Sequence, residues 1–142
     1  MSANHLETLD HSFHLAHEWI NDLDEALGWN DKHRSYRLLR AVLQTLRDCL
    51  PIAEAADFSA QLPLLFRGVF FEGWHPAAIK PSHWDLDHFC ARIDEYFVRD
   101  PLEDSGDVVS EVFGVLRKRI SAGEIKDVVG CLPAEIRALW PA

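Results

Sequence analysis

The sequence contains few cysteines and few glycines and has no long apolar run, and each shortage excludes a class of protein. The three cysteines are far apart and form no Cys-x-x-Cys pair, which argues against a disulfide framework and against a zinc knuckle. With only seven glycines among 142 residues, glycine-rich loops that bind phosphate are not expected, and no P-loop, Gly-x-Gly-x-x-Gly or Gly-x-Ser-x-Gly motif occurs. The longest apolar stretch, residues 62–71, is interrupted by Arg67 and is too short to span a bilayer.

Positive charge is also scarce, since 14 basic residues face 23 acidic ones and the net charge is −9. Nucleic-acid binding depends on clustered Lys and Arg, and the one dense basic patch, Arg117-Lys118-Arg119, is short. The N-terminus carries early acids and no apolar h-region, so we expect no signal peptide and a cytoplasmic protein without a membrane partner. Apolar residues make up 48% of the chain, enough for a core, and we expect a single domain over residues 1–142.

The clearest pattern in the sequence is an internal repeat. A shift of 70 residues places Val42–Phe70 on Val112–Trp140 without a gap, and eight of the 29 pairs are identical. The pairs include a Leu-Pro followed four residues later by an Arg, at Pro63 and Arg67 and again at Pro133 and Arg137. Two unrelated amphipathic helices would explain matched Leu and Val but not this match. Upstream, after a gap, Phe13 and Phe89 are plausible equivalents.

Apolar spacing predicts helices throughout, with no hairpin signal and no sustained alternation to suggest strands. We predict an all-α protein of two tandem helical pseudo-repeats, each with three to four helices, packed into one compact bundle. The first repeat spans residues 4–72, a connector spans 73–82, and the second repeat spans 83–142.

The first helix is predicted from Asn4, as cap, to Leu27, before Gly28. Its apolar residues follow spacings of 3, 4, 3, 4, 3 and 4 and form one seam: Leu6, Leu9, Phe13, Ala16, Ile20, Leu23 and Leu27.

Capping signals place the other helices. Ser105 is a candidate cap, Ser121 with Glu124 is typical of a capping box, and Ser82 with Asp85 is a start signal for the second repeat. Short helices are predicted over residues 52–60 and 122–130. Pro63 and Pro133 then either start a new helix or kink a longer one.

The ordered set Val42-x3-Leu46-Arg47, Gln61-Leu62-Pro63, Arg67-Gly68 and Glu72-Gly73-Trp74 resembles the bacterial domain-of-unknown-function family 2267. The resemblance covers nearly the whole chain from about Phe13. It implies an all-helical tandem unit, and it implies no activity, substrate or catalytic residue. The second repeat has Ala138 in place of the Gly and no Glu-Gly-Trp equivalent.

Three sets of residues are candidates for chemistry or binding. Asp10, His14 and His17 form a stripe on the first helix that could share a divalent metal, and His83 lies near the predicted first helix of the second repeat. The simpler interpretation is that the stripe is the solvated polar face of the helix. Arg67 and Arg137 are predicted to tie the third and fourth helices of each repeat together as structural braces. The duplicated acids belong to the same brace prediction: Glu54, Glu124, Asp57 and Asp127.

The third set is the aromatic cluster Phe70, Phe71, Trp74 and Trp84, which either covers the seam between the repeats or, if exposed, marks a partner surface. No catalytic residue or cofactor is predicted. We therefore expect a non-enzymatic module that binds an unknown protein partner or forms a homo-oligomer. A metal-dependent protein and a small nucleic-acid-binding regulator remain as alternatives.

Overall fold

The structure is a computed structural model that describes residues 6–77 and 84–142. In these ranges all regular structure is helical, as predicted. The helices are α1 (Glu7–Leu27), α2 (Lys32–Cys49), α3 (Ile52–Ser59), α4 (Leu64–Phe71), α5 (Leu86–Asp94) followed by a 3-10 helix (Glu95–Phe97), α6 (Ser105–Arg119), α7 (Ala122–Gly130) and α8 (Ala134–Arg137).

Aspartate carboxylates cap three of these helices at their N-termini. Asp31, Asp85 and Asp104 each accept a hydrogen bond from the backbone N–H three residues on, at the start of α2, α5 and α6. Asp104 therefore takes the capping role that the sequence suggested for Ser105, which is instead the first residue of α6. Half of the predicted capping box at Ser121 is present: its hydroxyl accepts from the N–H of Glu124 at 3.2 Å, but its own N–H donates to Gln61 and not to Glu124.

The two prolines of the repeated Leu-Pro each precede a separate short helix. Pro63 comes directly before α4 and Pro133 directly before α8, with nearly identical backbone angles of (−53°, 148°) and (−58°, 152°). Proline suits this position because its fixed φ fits a helix start and its missing N–H would have no intrahelical partner there. Of the two predicted alternatives, the structure has the new helix and not the kink.

The first helix differs from its prediction at the start and in the face that it buries. Leu6 is extended, and the helix begins at Glu7; Asn4, the predicted cap, lies outside the described residues, as do Ser82 and His83. The predicted end at Leu27 is confirmed, with Gly28 in the left-handed conformation at φ 67°. The buried residues are Ser12, Ala16, Trp19, Leu23 and Asp24.

One continuous core joins all the helices, and α2 and α6 lie at its centre. Helix α2 packs against α1, α4, α5 and α6, while α6 packs against α1, α5 and α7. Ten residues of α2 are buried, and four of them are polar: Ser35, Gln44, Thr45 and Arg47. Helices α3 and α7 pack against each other.

Several residues that the repeat aligns have similar surroundings. Leu46 and Leu116 are fully buried, and so are Phe58 and Val128. Leu62 and Leu132 are each 2% exposed. These pairs satisfy what a duplication requires, and the duplication itself stays a prediction.

None of the helices in the described ranges is both long enough and apolar enough to cross a membrane.

Candidate functional site

The histidine stripe of α1 lies on the solvent side of the helix. Asp10, His14 and His17 are all exposed. The Nε2 atom of His14 lies 3.0 Å from a carboxylate oxygen of Glu18, one turn further along the helix. In the ranges that the structure covers, Asp10, His14 and His17 do not form a group whose ligand atoms lie within 4.8 Å of one another. The structure thus gives no support to a metal centre on this face.

The two predicted brace arginines donate to backbone carbonyls. Arg67 donates from Nε to the carbonyl of Ser59, the last residue of α3, and from Nη2 to the carbonyl of Leu62. Arg137 donates from Nη2 to the carbonyl of Leu132 at 2.9 Å. Each guanidinium therefore binds the loop that precedes its own helix, and Arg67 also reaches the end of α3.

The duplicated acids lie against one another rather than against these arginines. Glu54, Asp57 and Glu124 converge at the contact between α3 and α7, with one carboxylate oxygen of each within 4.8 Å of the others. The buried Oε2 atoms of Glu54 and Glu124 have no hydrogen-bond partner among the described residues. Carboxylate oxygens are the ligands that Ca²⁺ and Mg²⁺ prefer, and they also share protons when two of them meet.

Proton sharing is the simplest way to satisfy this pair. Burial raises the pKa of Glu124 to about 8, together with a hydrogen bond that protonated Glu124 donates to Glu54 and the negative charges of Glu54, Asp127 and Asp57. At neutral pH Glu124 therefore carries a proton that it can donate to Glu54. This proton supplies the donor that the buried oxygens otherwise lack.

The predicted aromatic cluster is packed into the core. Phe70 is fully buried, Trp84 is buried, and Phe71 and Trp74 are partly buried. The ring of Phe70 contacts Phe58 and Phe71, whose ring in turn contacts Trp74, with centroid distances of 5.0–5.4 Å. Of the two interpretations that the sequence leaves open for these residues, burial favours interior packing.

A buried polar junction at the end of α4 is a feature that the sequence did not reveal. Arg47 is 5% exposed and donates from Nη1 to the carbonyls of Phe70 and Glu72, at 3.0 and 2.9 Å. Asp48 accepts from Arg47 and from Arg92 of α5. Burial opposes the charged form of Asp48, but the hydrogen bonds from the two arginines outweigh it and hold its pKa below the usual value. The junction joins α2, α4 and α5.

An exposed apolar surface lies along the N-terminal half of α1 and beside α4. Its members are Leu6, which directly precedes α1, and Leu9 and Phe13 of the helix, which are 63%, 47% and 55% exposed. Beside them is an apolar pocket of about 270 Å³. The pocket is lined by Phe13, Ala16, His17, Ile20, Tyr36, Leu65, Phe66 and Val69. We call the side chains of Leu6, Leu9 and Phe13, together with this pocket, the α1–α4 surface.

The α1–α4 surface contains the first half of the predicted seam. Of the predicted seam residues, Phe13, Ala16 and Ile20 line one pocket, while Leu6, Leu9 and Phe13 remain exposed. The buried face of α1 also includes Trp19, which the seam omits and whose ring lies 5.7 Å from that of Phe66. Phe13 is exposed while its proposed equivalent Phe89 is fully buried, so these two residues have unlike surroundings.

A protein-family model matches residues 16–139, and its description is an uncharacterized conserved protein, DUF2267. The match spans most of the chain and confirms the family resemblance found in the sequence motifs. No curated protein matches the chain significantly.

Proposed function

Because the chain belongs to the DUF2267 family, whose description assigns no activity, we propose a function from its surface: a helical module that self-associates through the α1–α4 surface. The observation that carries this proposal is the exposure of half of a continuous apolar seam next to an apolar pocket.

The apolar side chains of this surface are concentrated rather than scattered. Leu9 and Phe13 lie four residues apart on one face of α1, and Leu6 directly precedes the helix. Phe13 also lines the pocket, so the exposed ridge and the pocket are continuous. Contiguous exposed apolar patches of this kind mark protein-interaction sites, whereas single exposed apolar residues are ordinary.

A second copy of the chain suits this surface because a ridge and a pocket lie side by side on it. A two-fold arrangement can place the ridge of each copy in the pocket of the other, so that one patch serves both subunits. If the two α1 helices run antiparallel and cross near Phe13, Asp10 of one copy lies close to His17 of the other. The negative carboxylate of Asp10 then faces the polar imidazole of His17 on both sides of the apolar centre.

We expect the dimer to be weak and dependent on concentration. A standard interface buries about 800 Å² per partner, and one half-helix with a small pocket offers less than that. Sedimentation velocity over a micromolar-to-millimolar series should show the weight-average mass rising from that of a monomer, 16.2 kDa, towards twice that value.

Phe13→Glu should abolish this rise, because it places a charge at the centre of the apolar contact. Ile52→Glu is a matched control, since Ile52 is 54% exposed and lies at the start of α3, away from the α1–α4 surface. Both variants should keep the helical circular dichroism of the wild type. A mass that stays monomeric at all concentrations, or an equal effect of the two substitutions, would refute self-association through this surface.

A further inference from the structure

A cavity of about 490 Å³ lies between the end of α6 and one face of α7, on elements that do not form the α1–α4 surface. Arg117 of α6 lies on one side, and four residues of α7 at helical spacing form the other: Ala122, Ile125, Lys126 and Val129. Its volume is within the usual range of small-molecule sites, about 300–1,000 Å³.

The charge of this cavity is opposite to that of the chain as a whole. Its lining has two cations and no carboxylate, although the net charge of the protein is −9. Neither Arg117 nor Lys126 forms an ion pair with any residue in the described ranges. The neighbours of Arg117 do: Lys118 and Arg119 both lie against Asp22 of α1. The basic patch noted in the sequence is therefore divided, and only Arg117 is directed to the cavity.

The remaining wall of the cavity is apolar. Ile125 is 2% exposed and Val129 is partly buried. Arg117 and Lys126 are themselves exposed, so water screens part of their attraction to an anion, and the apolar wall strengthens that attraction where it displaces water. The same wall can contact an alkyl chain, which would leave water on binding.

We propose that this cavity binds a small amphiphilic carboxylate. The carboxylate lies between Arg117, which can donate two parallel N–H bonds, and Lys126, which adds a point charge. The alkyl part lies over Ala122, Ile125 and Val129. This site is separate from the self-association of the α1–α4 surface, and neither requires the other.

Octanoate is a suitable probe, with acetate and octanol as comparison ligands that lack the alkyl chain and the charge. Isothermal titration of the full chain should show saturable binding of octanoate at least tenfold tighter than that of acetate or octanol. Amide NMR shifts on octanoate addition should be largest over residues 122–129. Failure to saturate, or equal binding of acetate and octanoate, would overturn the proposal.

Charge-removing variants test which cation is used. Arg117→Gln and Lys126→Gln should each weaken octanoate binding by about tenfold, the effect of losing one charge-assisted hydrogen bond. Lys118→Gln removes the same charge one residue away, where the side chain lies against Asp22, and should leave the affinity within twofold. An equal loss in all three variants would show a general charge effect and reject the site. The Phe13→Glu variant should bind octanoate like the wild type, which keeps this test independent of self-association.

Discussion

Replacement of Arg47 by alanine tests whether the buried junction at the end of α4 holds the fold together. The guanidinium is almost fully buried, donates to the carbonyls of Phe70 and Glu72, and forms an ion pair with Asp48 at 2.9 Å. Alanine leaves both carbonyls without this donor and removes one of the two cations beside Asp48. Loss of one partner of a buried ion pair costs about 3–5 kcal/mol.

We expect the lower end of that range, because Arg92 still donates to Asp48 at 2.9 Å and compensates its charge. A loss of about 3 kcal/mol is a large part of the 5–15 kcal/mol that stabilises a typical domain, so the variant should fold but melt early. For a chain of this length each kcal/mol corresponds to a shift in Tm of about 3 °C, and the expected decrease is about 10 °C.

Urea denaturation followed by circular dichroism gives the free energy of unfolding, and calorimetry gives Tm. Arg117→Ala is the matched control, since the predicted repeat aligns Arg117 with Arg47, but Arg117 is exposed and has no ion pair among the described residues. Its substitution should change stability by less than about 0.5 kcal/mol. If Arg47→Ala were no more destabilising than Arg117→Ala, the argument from burial and hydrogen bonding would be wrong.

Three further predictions concern other residues. Arg67→Ala should lower the free energy of unfolding by about 1–2 kcal/mol, since Arg67 binds two carbonyls from a half-buried position, and an unchanged Tm would count against the brace. Glu124→Gln should flatten the pH dependence of stability. The pKa of Glu124 is raised from 4.5 to about 8 in the folded protein, so between these pH values the folded protein keeps a proton that the unfolded chain has lost, and wild-type stability decreases as the pH rises. The same slope for variant and wild type in pH-dependent calorimetry would exclude the shared proton. Phe89→Ala should cost about 3–5 kcal/mol in urea denaturation and Phe13→Ala little, and similar losses would contradict their unlike burial.

Much of the helical architecture could be predicted from local patterns. The end of α1 at Leu27 follows from a glycine in the left-handed conformation, and the start of α7 after Ser121 follows from a capping hydroxyl. The predicted cap at Ser105 was wrong by one residue, because the adjacent Asp104 is equally able to cap the helix.

The candidate sites were much less predictable, because each depends on what one helix meets. The predicted seam includes Leu6, Leu9 and Phe13, but no periodicity reveals that the neighbouring helices leave these side chains exposed. The matched arginines Arg47 and Arg117 share a sequence context, yet only Arg47 reaches the carbonyls at the end of α4. The duplicated Glu54 and Glu124 were assigned to arginine braces, and only the contact between α3 and α7 brings them together.

The sequence by itself determined that the chain is helical, where most helices begin and end, and which family it belongs to. These properties depend on capping, proline geometry and the spacing of apolar residues, which act over a few positions along the chain. Tertiary structure alone decided which apolar residues remain exposed, which carboxyl groups share a proton and which cations lack a partner. Such properties depend on distances between residues far apart in sequence, and these distances are set only when the helices pack.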